Sequence, residues 1–446
     1  MRAASRLFST HGLTNLNALL TDLYELTMAA GYYAAGKHKE IGSFELSIRR
    51  LPRGRHFVLA AGLHRAIDYL LNLRFEADEI AYLRGLPNFR NAQPAFWDYL
   101  ADFRFTGDVF AIPEGTVLYE GQPVMNIRAP LIEGQIPETY LLSAITFETL
   151  IATKAAQLVE SARGRDVVEF GTRRAHTPEA GVLGARAAYI GGCAGTSNTL
   201  AGFRYNVPVF GTAAHSWVMA FESETAAFAE LQALLGDRTV QLLDTFDTLE
   251  GARRVTRLGG PLWGVRIDSG NLAELARAVR RILDQGGMPQ AKIMASGDLD
   301  EERIQALLDA GAPIDAFGVG TELAVSGDAP SMGTIYKLVE IERDGKARPT
   351  AKNSPDKRTL PGAKQLFRYP EHDLLGLHDE CAGGAEAMLK PWIIGGNLIR
   401  PLASLDKIRQ RARVAMTPWP AANRRTRLSP ALHDLNERVH ESVLRY

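Results

Sequence analysis

Residues 264–270 read GVRIDSG, residues 292–298 read KIMASGD and residues 315–321 read DAFGVGT. Each opens on a short apolar run and ends in a polar cluster with glycine. Between them lie amphipathic stretches of helical length, residues 272–283 and 301–310. Working outward, the same grammar places strands at residues 167–170, 208–210 and 240–243, and a further helix at 178–189. Strand–helix alternation predicts a parallel sheet with crossover helices. Six or seven such units within residues 140–336 fit an irregular, closed or nearly closed β/α (TIM-like) barrel.

The flanking sequence has a different texture. Residues 1–139 mix helical patterns (19–31, 63–73, 77–86, 95–103) with an alternating strand at 43–49. Within them, residues 105–128 carry closely spaced turn signals between β-branched runs, which predicts a small antiparallel β module. The expected organisation is an α/β N-terminal domain over 1–139, a barrel over 140–336, and a C-terminal segment over 337–446 that partly completes the N-terminal domain. That last segment reads as a strand at 335–342, a polar loop at 352–364 and an arginine-rich helical tail.

Composition bounds the function. The chain has 446 residues, with 51 Lys and Arg against 51 Asp and Glu. Zero net charge argues against bulk nucleic acid or an anionic membrane as partner, since both call for a surplus of basic residues. It leaves room for a local basic pocket. The two cysteines, Cys193 and Cys381, have no partner at metal-binding spacing, so disulfides and structural zinc are not expected and a cytoplasmic location is. The uncharged stretch 205–221 is too short and too polar to span a bilayer. Residues 1–21 have the basic, Ser/Thr-containing composition of a transit segment, and read more simply as a polar extension before a helix.

The chemistry gathers at the strand ends. Seven polar clusters recur there: Gly171 to Arg174, Thr196 to Asn198, Thr212 with His215, Asp244-Thr245, Arg266-Asp268-Ser269, Ser296-Gly297-Asp298, and Gly318-Gly320-Thr321. In a β/α barrel the C-terminal strand ends share one mouth. Taken singly, Asp, Ser and Thr at such junctions read as helix caps, and Asp298 with Glu301 reads as a capping box. Capping has no use for several arginines and a histidine on the same rim. The late glycines permit backbone N–H groups to approach an anion. Arg173, Arg174 and Arg266 suit phosphate or carboxylate, and Asp244 and Asp268 are carboxylates of the kind that hold Mg²⁺ beside phosphates. His215, in an apolar context, reads first as a buried hydrogen-bonded histidine and second as a phosphoryl acceptor or general base. Walker A, HExxH and GxSxG patterns are missing from the sequence.

These strings resemble the nicotinate phosphoribosyltransferase family, among the type II phosphoribosyltransferases. The resemblance rests on LTDLYE (20–25), EFGTRRA (169–175), GTAAHS (211–216), LLDT (242–245), GVRIDSG (264–270), GVGT (318–321) and TLPGAK (359–364), in order along the chain. It implies phosphoribosyl transfer from phosphoribosyl pyrophosphate (PRPP) to nicotinate, giving nicotinate mononucleotide and pyrophosphate in NAD salvage. It also implies coupling to ATP through a transient phosphohistidine at His215, with Mg²⁺, in a homodimer with a shared active site. Tyr24 and Phe170 match positions flanking the nicotinate ring, and Thr212 and Arg266 match contacts to the acid. Arg173, Ser296, Gly297, Gly320 and Thr321 fall at sugar-phosphate positions, while Asp268 matches a carboxylate beside the reacting ribose. The metal ligands stay unassigned.

One position separates close relatives. The nicotinamide-using sister family typically carries Asp where this chain has Ser197, and a carboxylate there repels nicotinate whereas a hydroxyl donates to it. Nicotinamide or quinolinate phosphoribosyl transfer remains the near alternative. A phosphate-binding β/α-barrel isomerase or lyase without ATP use, and a non-enzymatic ligand-sensing barrel, are the distant ones.

Overall fold

A computed structural model describes residues 18–343, 345–354, 357–422 and 424–443. The transit-segment reading of residues 1–21 falls, up to residue 17, outside the described residues. Two compact units emerge: Met1–Leu150 with Ser331–Tyr446, and Ile151–Pro330. No helix among the described residues is long and apolar enough to cross a membrane.

The first unit is built on a seven-stranded antiparallel sheet, in the order Lys346–Pro349, Gly333–Arg343, Ile41–Arg50, Pro123–Pro130, Asp108–Ala111, Lys390–Ile394 and Asn397–Leu398. Alternation in Ile41–Arg50 aims Phe44, Leu46 and Ile48 at one core, which they share with Tyr69, Phe96 and Trp97 from the N-terminal helices. The opposite face is buried too. There Glu45 meets Lys364 Nζ at 3.2 Å, and Asn126 Nδ2 donates to the Lys364 carbonyl.

Lys364 begins a second sheet, of four strands: Glu386–Ala387, Lys364–Arg368, His372–Leu377 and Arg425–Leu428. Among the described residues the expected helical tail takes the form of two helices, Leu405–Ala415 and Pro430–Val443, and strands that the sequence reading did not expect lie before and between them. The arginines of this segment serve the architecture. The fully buried Asp373 accepts from Arg424 Nη2 at 2.8 Å and from Arg368 Nε at 3.0 Å. Burial raises the Asp373 pKa, but the bonds from Arg424 and Arg368 outweigh it and hold the carboxyl below its ordinary value.

The second unit is α/β around a curled, all-parallel sheet. Six strands lie in the order Gly195–Thr196, Asp166–Glu169, Ala316–Val319, Lys292–Ala295, Gly264–Ile267 and Val240–Leu242. The last strand of the unit pairs with the first, Ala316 opposite Asp166, so the order follows the chain around a ring. A single bridge from Thr196 to Val209 extends it by one more segment. Among the described residues no pairing joins Val209 to Val240–Leu242, so the ring has one open seam. The strand expected at 208–210 is thus reduced to that bridge, and Gly195–Thr196 is a short strand that hydrophobic runs alone did not reveal.

Candidate active site

Helix caps in the second unit decide what the strand-end residues are free to do. Asp247 accepts from Glu250 N, Asn271 from Glu274 N and Asp300 from Arg303 N. The expected capping box at Asp298 and Glu301 is corrected: Asp300 is the cap, while Asp298 adopts a positive φ of 48°. With capping assigned to residues farther along each connection, Asp244, Asp268 and Ser296 are left at the strand ends for other work.

Arg266 organises them. It leaves strand Gly264–Ile267 with a side chain 13% exposed, and every nitrogen of its guanidinium is engaged. Nε donates to Ser296 Oγ at 2.8 Å, one Nη to Thr212 Oγ1 at 2.7 Å and the other to Asp268 Oδ1 at 2.8 Å. The guanidinium carbon lies 5.8 Å from the centroid of Phe170. That ring rests on Gly318, where a Cβ would come within 2.5 Å of it, so only glycine leaves room for an aromatic floor. A flat ring beside a cation held by three acceptors is a fitting receptor for a small aromatic anion.

Asp268 is the shared acceptor. It receives Arg266, the Ser296 hydroxyl and, 4.0 Å from Oδ2, faces Nε2 of His215. Burial raises its pKa, but the bonds from Arg266 and Ser296 exceed that effect and keep the carboxyl below its ordinary value, ionised at neutral pH. Asp244 braces the same turn: its Oδ2 accepts the Asp268 amide at 3.2 Å and the Ser269 hydroxyl at 2.5 Å. Its Oδ1 is buried with no hydrogen-bond partner.

His215 begins the short helix His215–Met219, and Nδ1 lies 3.1 Å from Thr245 Oγ1. Its side chain is 42% exposed, which corrects the reading of a buried histidine. Gly297 has φ of 94°, and a Cβ there would collide with the Asp268 carbonyl; that turn admits no side chain.

The remaining predicted residues divide. Arg173, Ser197 and Thr321 are exposed at their own strand ends, and Gly320 precedes the helix Thr321–Ala324. None of these joins the Arg266 cluster by a hydrogen bond among the described residues. Tyr24 belongs to the first unit, at the start of helix Leu23–Ala34 and 46% exposed. Burial, and then the nearby Glu138 and Glu25 carboxylates, hold its phenol well above the usual range.

Two contributors lie within the strings already noted, but the sequence gives neither of them a role of its own. Glu169 is buried directly before Phe170, accepts from the Thr196 hydroxyl and the Gly171 amide, and so fixes the turn leading to Arg173. Burial raises its pKa above the usual carboxylate value, against those two bonds. The signal was an acid ending an apolar strand. Thr245, the partner of His215, had none beyond its place after Asp244.

A groove of about 600 Å³ lies at the opposite, N-terminal ends of these strands, beside Arg165, Asp166, Arg280, Lys292 and Asp315. Its cations are committed to structure. Arg165 donates to the Ile314 carbonyl at 2.8 Å, Arg280 to Met288 at 2.9 Å, and Lys292 sits over Trp263.

The nicotinate phosphoribosyltransferase (NAPRTase) N-terminal domain family matches residues 19–146, and the NAPRTase family matches residues 166–359. A nicotinate phosphoribosyltransferase of Mycobacterium tuberculosis is 45% identical over 418 residues, covering 91% of this chain and 88% of the relative. One from Bacillus subtilis is 42% identical over 379 residues, covering 81% and 76%. The crystal structure of human nicotinic acid phosphoribosyltransferase superposes with a TM-score of 0.82 at 28% identity, covering 94% of this chain and 99% of that one. With family matches over most of its length and relatives above 40% identity, the chain belongs to the nicotinate phosphoribosyltransferase family.

Proposed function

We propose that this protein is an enzyme of NAD salvage that transfers the phosphoribosyl group of PRPP to nicotinate, on an irregular β/α barrel open at one seam. The observation that carries the reading is the Arg266 cluster: a cation fixed by Thr212, Asp268 and Ser296 over the Phe170 ring. Nicotinate is a flat anion, and this receptor offers stacking and a carboxylate partner at once. The pyridine nitrogen attacks C1 of the ribose, the C1–O bond to pyrophosphate breaks, and the electron pair leaves with pyrophosphate. Positive charge develops on the ribose as the bond breaks. Asp268, ionised and held rigid by Arg266 and Ser296, stabilises it by proximity.

Arg173, Ser296, Gly297, Gly320 and Thr321 form the PRPP side of the mouth. Mg²⁺ fits this site: Asp244 presents a buried, unpartnered Oδ1 next to Asp268, and both are hard oxygen ligands. Bound there, the ion would supply positive charge against the pyrophosphate oxygens.

ATP enters through His215. With Nδ1 occupied by Thr245, Nε2 takes the γ-phosphoryl group: a P–N bond forms, the bond to the bridging oxygen breaks, and ADP departs. The added charge beside Asp268 then alters the mouth until hydrolysis restores it. Tyr24, in the other unit, completes a site on the partner's barrel in a homodimer.

Ser197 favours the acid substrate over nicotinamide, because no carboxylate stands at that position to repel nicotinate. Incubating the protein with PRPP and nicotinate, nicotinamide or quinolinate, with and without ATP, tests the reading. Mononucleotide is expected from nicotinate with ATP stimulation. No product from any base would overturn it.

A further inference from the structure

A second concentration of charge lies in the barrel unit, apart from Arg266. Lys154, on helix Glu138–Ser161, has only 2% of its side chain exposed. Its Nζ lies 2.6 Å from Glu301 Oε2, 3.1 Å from Asp328 Oδ1 and 3.8 Å from Glu322 Oε2. An ammonium withdrawn from water is tolerated only when carboxylates surround it in this way.

The origin of those acids is informative. Glu301 opens helix Glu301–Asp309 in the connection that begins with Ser296 and Gly297. Glu322 follows Thr321 in the next connection, and Asp328 lies in the turn that closes it, where Gly327 N donates to the Glu322 carbonyl at 3.0 Å. One buried cation therefore ties together the two loops that carry the proposed phosphate contacts. The strands that lead into the two loops, Lys292–Ala295 and Ala316–Val319, are themselves paired.

We infer that Lys154 is a positioning residue for PRPP, a tether that holds the Gly297 and Gly320–Thr321 loops at the spacing its phosphates need. This deepens the function proposed above and rests on PRPP binding at those loops. A merely structural salt bridge would lower stability and disturb both substrates alike. A tether acts on PRPP selectively.

Steady-state kinetics of the full chain, with thermal melting alongside, test it. Lys154→Met is expected to raise the KM for PRPP by about tenfold or more while the KM for nicotinate stays within about twofold, and Lys154→Arg to recover most of the loss. Asp328→Ala answers the question should Lys154→Met fail to fold, since Asp328 gives the second loop its shorter contact to Nζ. Removing one negative charge would by simple electrostatics lower the PRPP KM, whereas the tether predicts a rise. An unchanged or lowered PRPP KM in Asp328→Ala, or equal rises for both substrates in Lys154→Met, would overturn the inference. Thr321→Val separates the two layers. A raised PRPP KM there, with Asp328→Ala unaffected, removes the tether and keeps the phosphate site; no effect in either removes both.

Discussion

His215 turns Nε2 toward Oδ2 of Asp268 at 4.0 Å, beyond hydrogen-bond length, while Thr245 engages Nδ1 at 3.1 Å. The ring is thus oriented without its second nitrogen being consumed. Replacing His215 by Ala should abolish acid-labile, base-stable labelling from γ-labelled ATP and remove ATP stimulation of nicotinate turnover. Labelling that persists in this variant would refute the phosphohistidine.

Arg266 serves three acceptors at once, which the planar fork of guanidinium makes possible. Lysine can satisfy one or two of them and leaves the rest without their charged donor. Arg266→Lys should cost about 2–3 kcal/mol in transition-state terms, or roughly 30- to 150-fold in kcat/KM for nicotinate. Kinetics within a factor of about two of the parent would mean that the cluster is structural only.

The legibility of this site in the sequence was uneven, for physical reasons. Arg266, Asp268 and Ser296 could be read because strand ends of a parallel sheet converge whatever the loop details, and apolar runs mark the strands. Caps were read less well. Both Asp298 and Asp300 suit an N-cap, and the choice falls to Asp300 because the turn at Gly297 drives Asp298 into the left-handed region. Lys154 was invisible, since a lysine within ATKAAQLVES looks like a surface residue. Only the arrival of Glu301, Glu322 and Asp328 from distant sequence makes its burial tolerable. In the C-terminal segment the helices Leu405–Ala415 and Pro430–Val443 follow the helical reading, but the sheet does not show in the sequence, because Asp373 draws Arg424 and Arg368 onto it from distant positions.

Gly297 offers a backbone test of the mouth. An alanine there meets both a positive φ and a collision between its Cβ and the Asp268 carbonyl. The turn must move, and Asp268 with it. Gly297→Ala should destabilise the fold by roughly 1–3 kcal/mol, read from denaturant midpoints, and depress kcat more than a loss of that size elsewhere. Unaltered kcat would show that the Asp268 position is not critical.

Ser197 gives a specificity test. It is exposed at the strand end, with its amide donating to the Glu169 carbonyl at 2.9 Å, so a larger side chain fits without repacking. Ser197→Asp should raise the KM for nicotinate by about tenfold or more through like-charge repulsion and admit nicotinamide as a substrate. Unchanged discrimination would place the selection elsewhere.

Glu25 provides the pH test. Burial pushes its carboxyl up to about 8, against the Thr139 hydroxyl and amide that donate to Oε1; Glu138 and Asp22 push it further in the same direction. The other oxygen, Oε2, is buried without a partner, an arrangement that favours the neutral acid. A pKa raised on folding means that the folded state holds the proton more tightly than the unfolded chain does. The stability this contributes is complete below the unfolded value near 4.5 and drains away as pH rises toward about 8. Over that window the slope approaches roughly 1.4 kcal/mol per pH unit for a single group. Glu25→Gln keeps an acceptor for Thr139 but cannot ionise. Its unfolding free energy, measured by denaturant at several pH values between about 5 and 8, should gain on the parent as pH rises. Parallel curves would mean that Glu25 is already charged in the folded protein, and that its neighbours compensate for its burial.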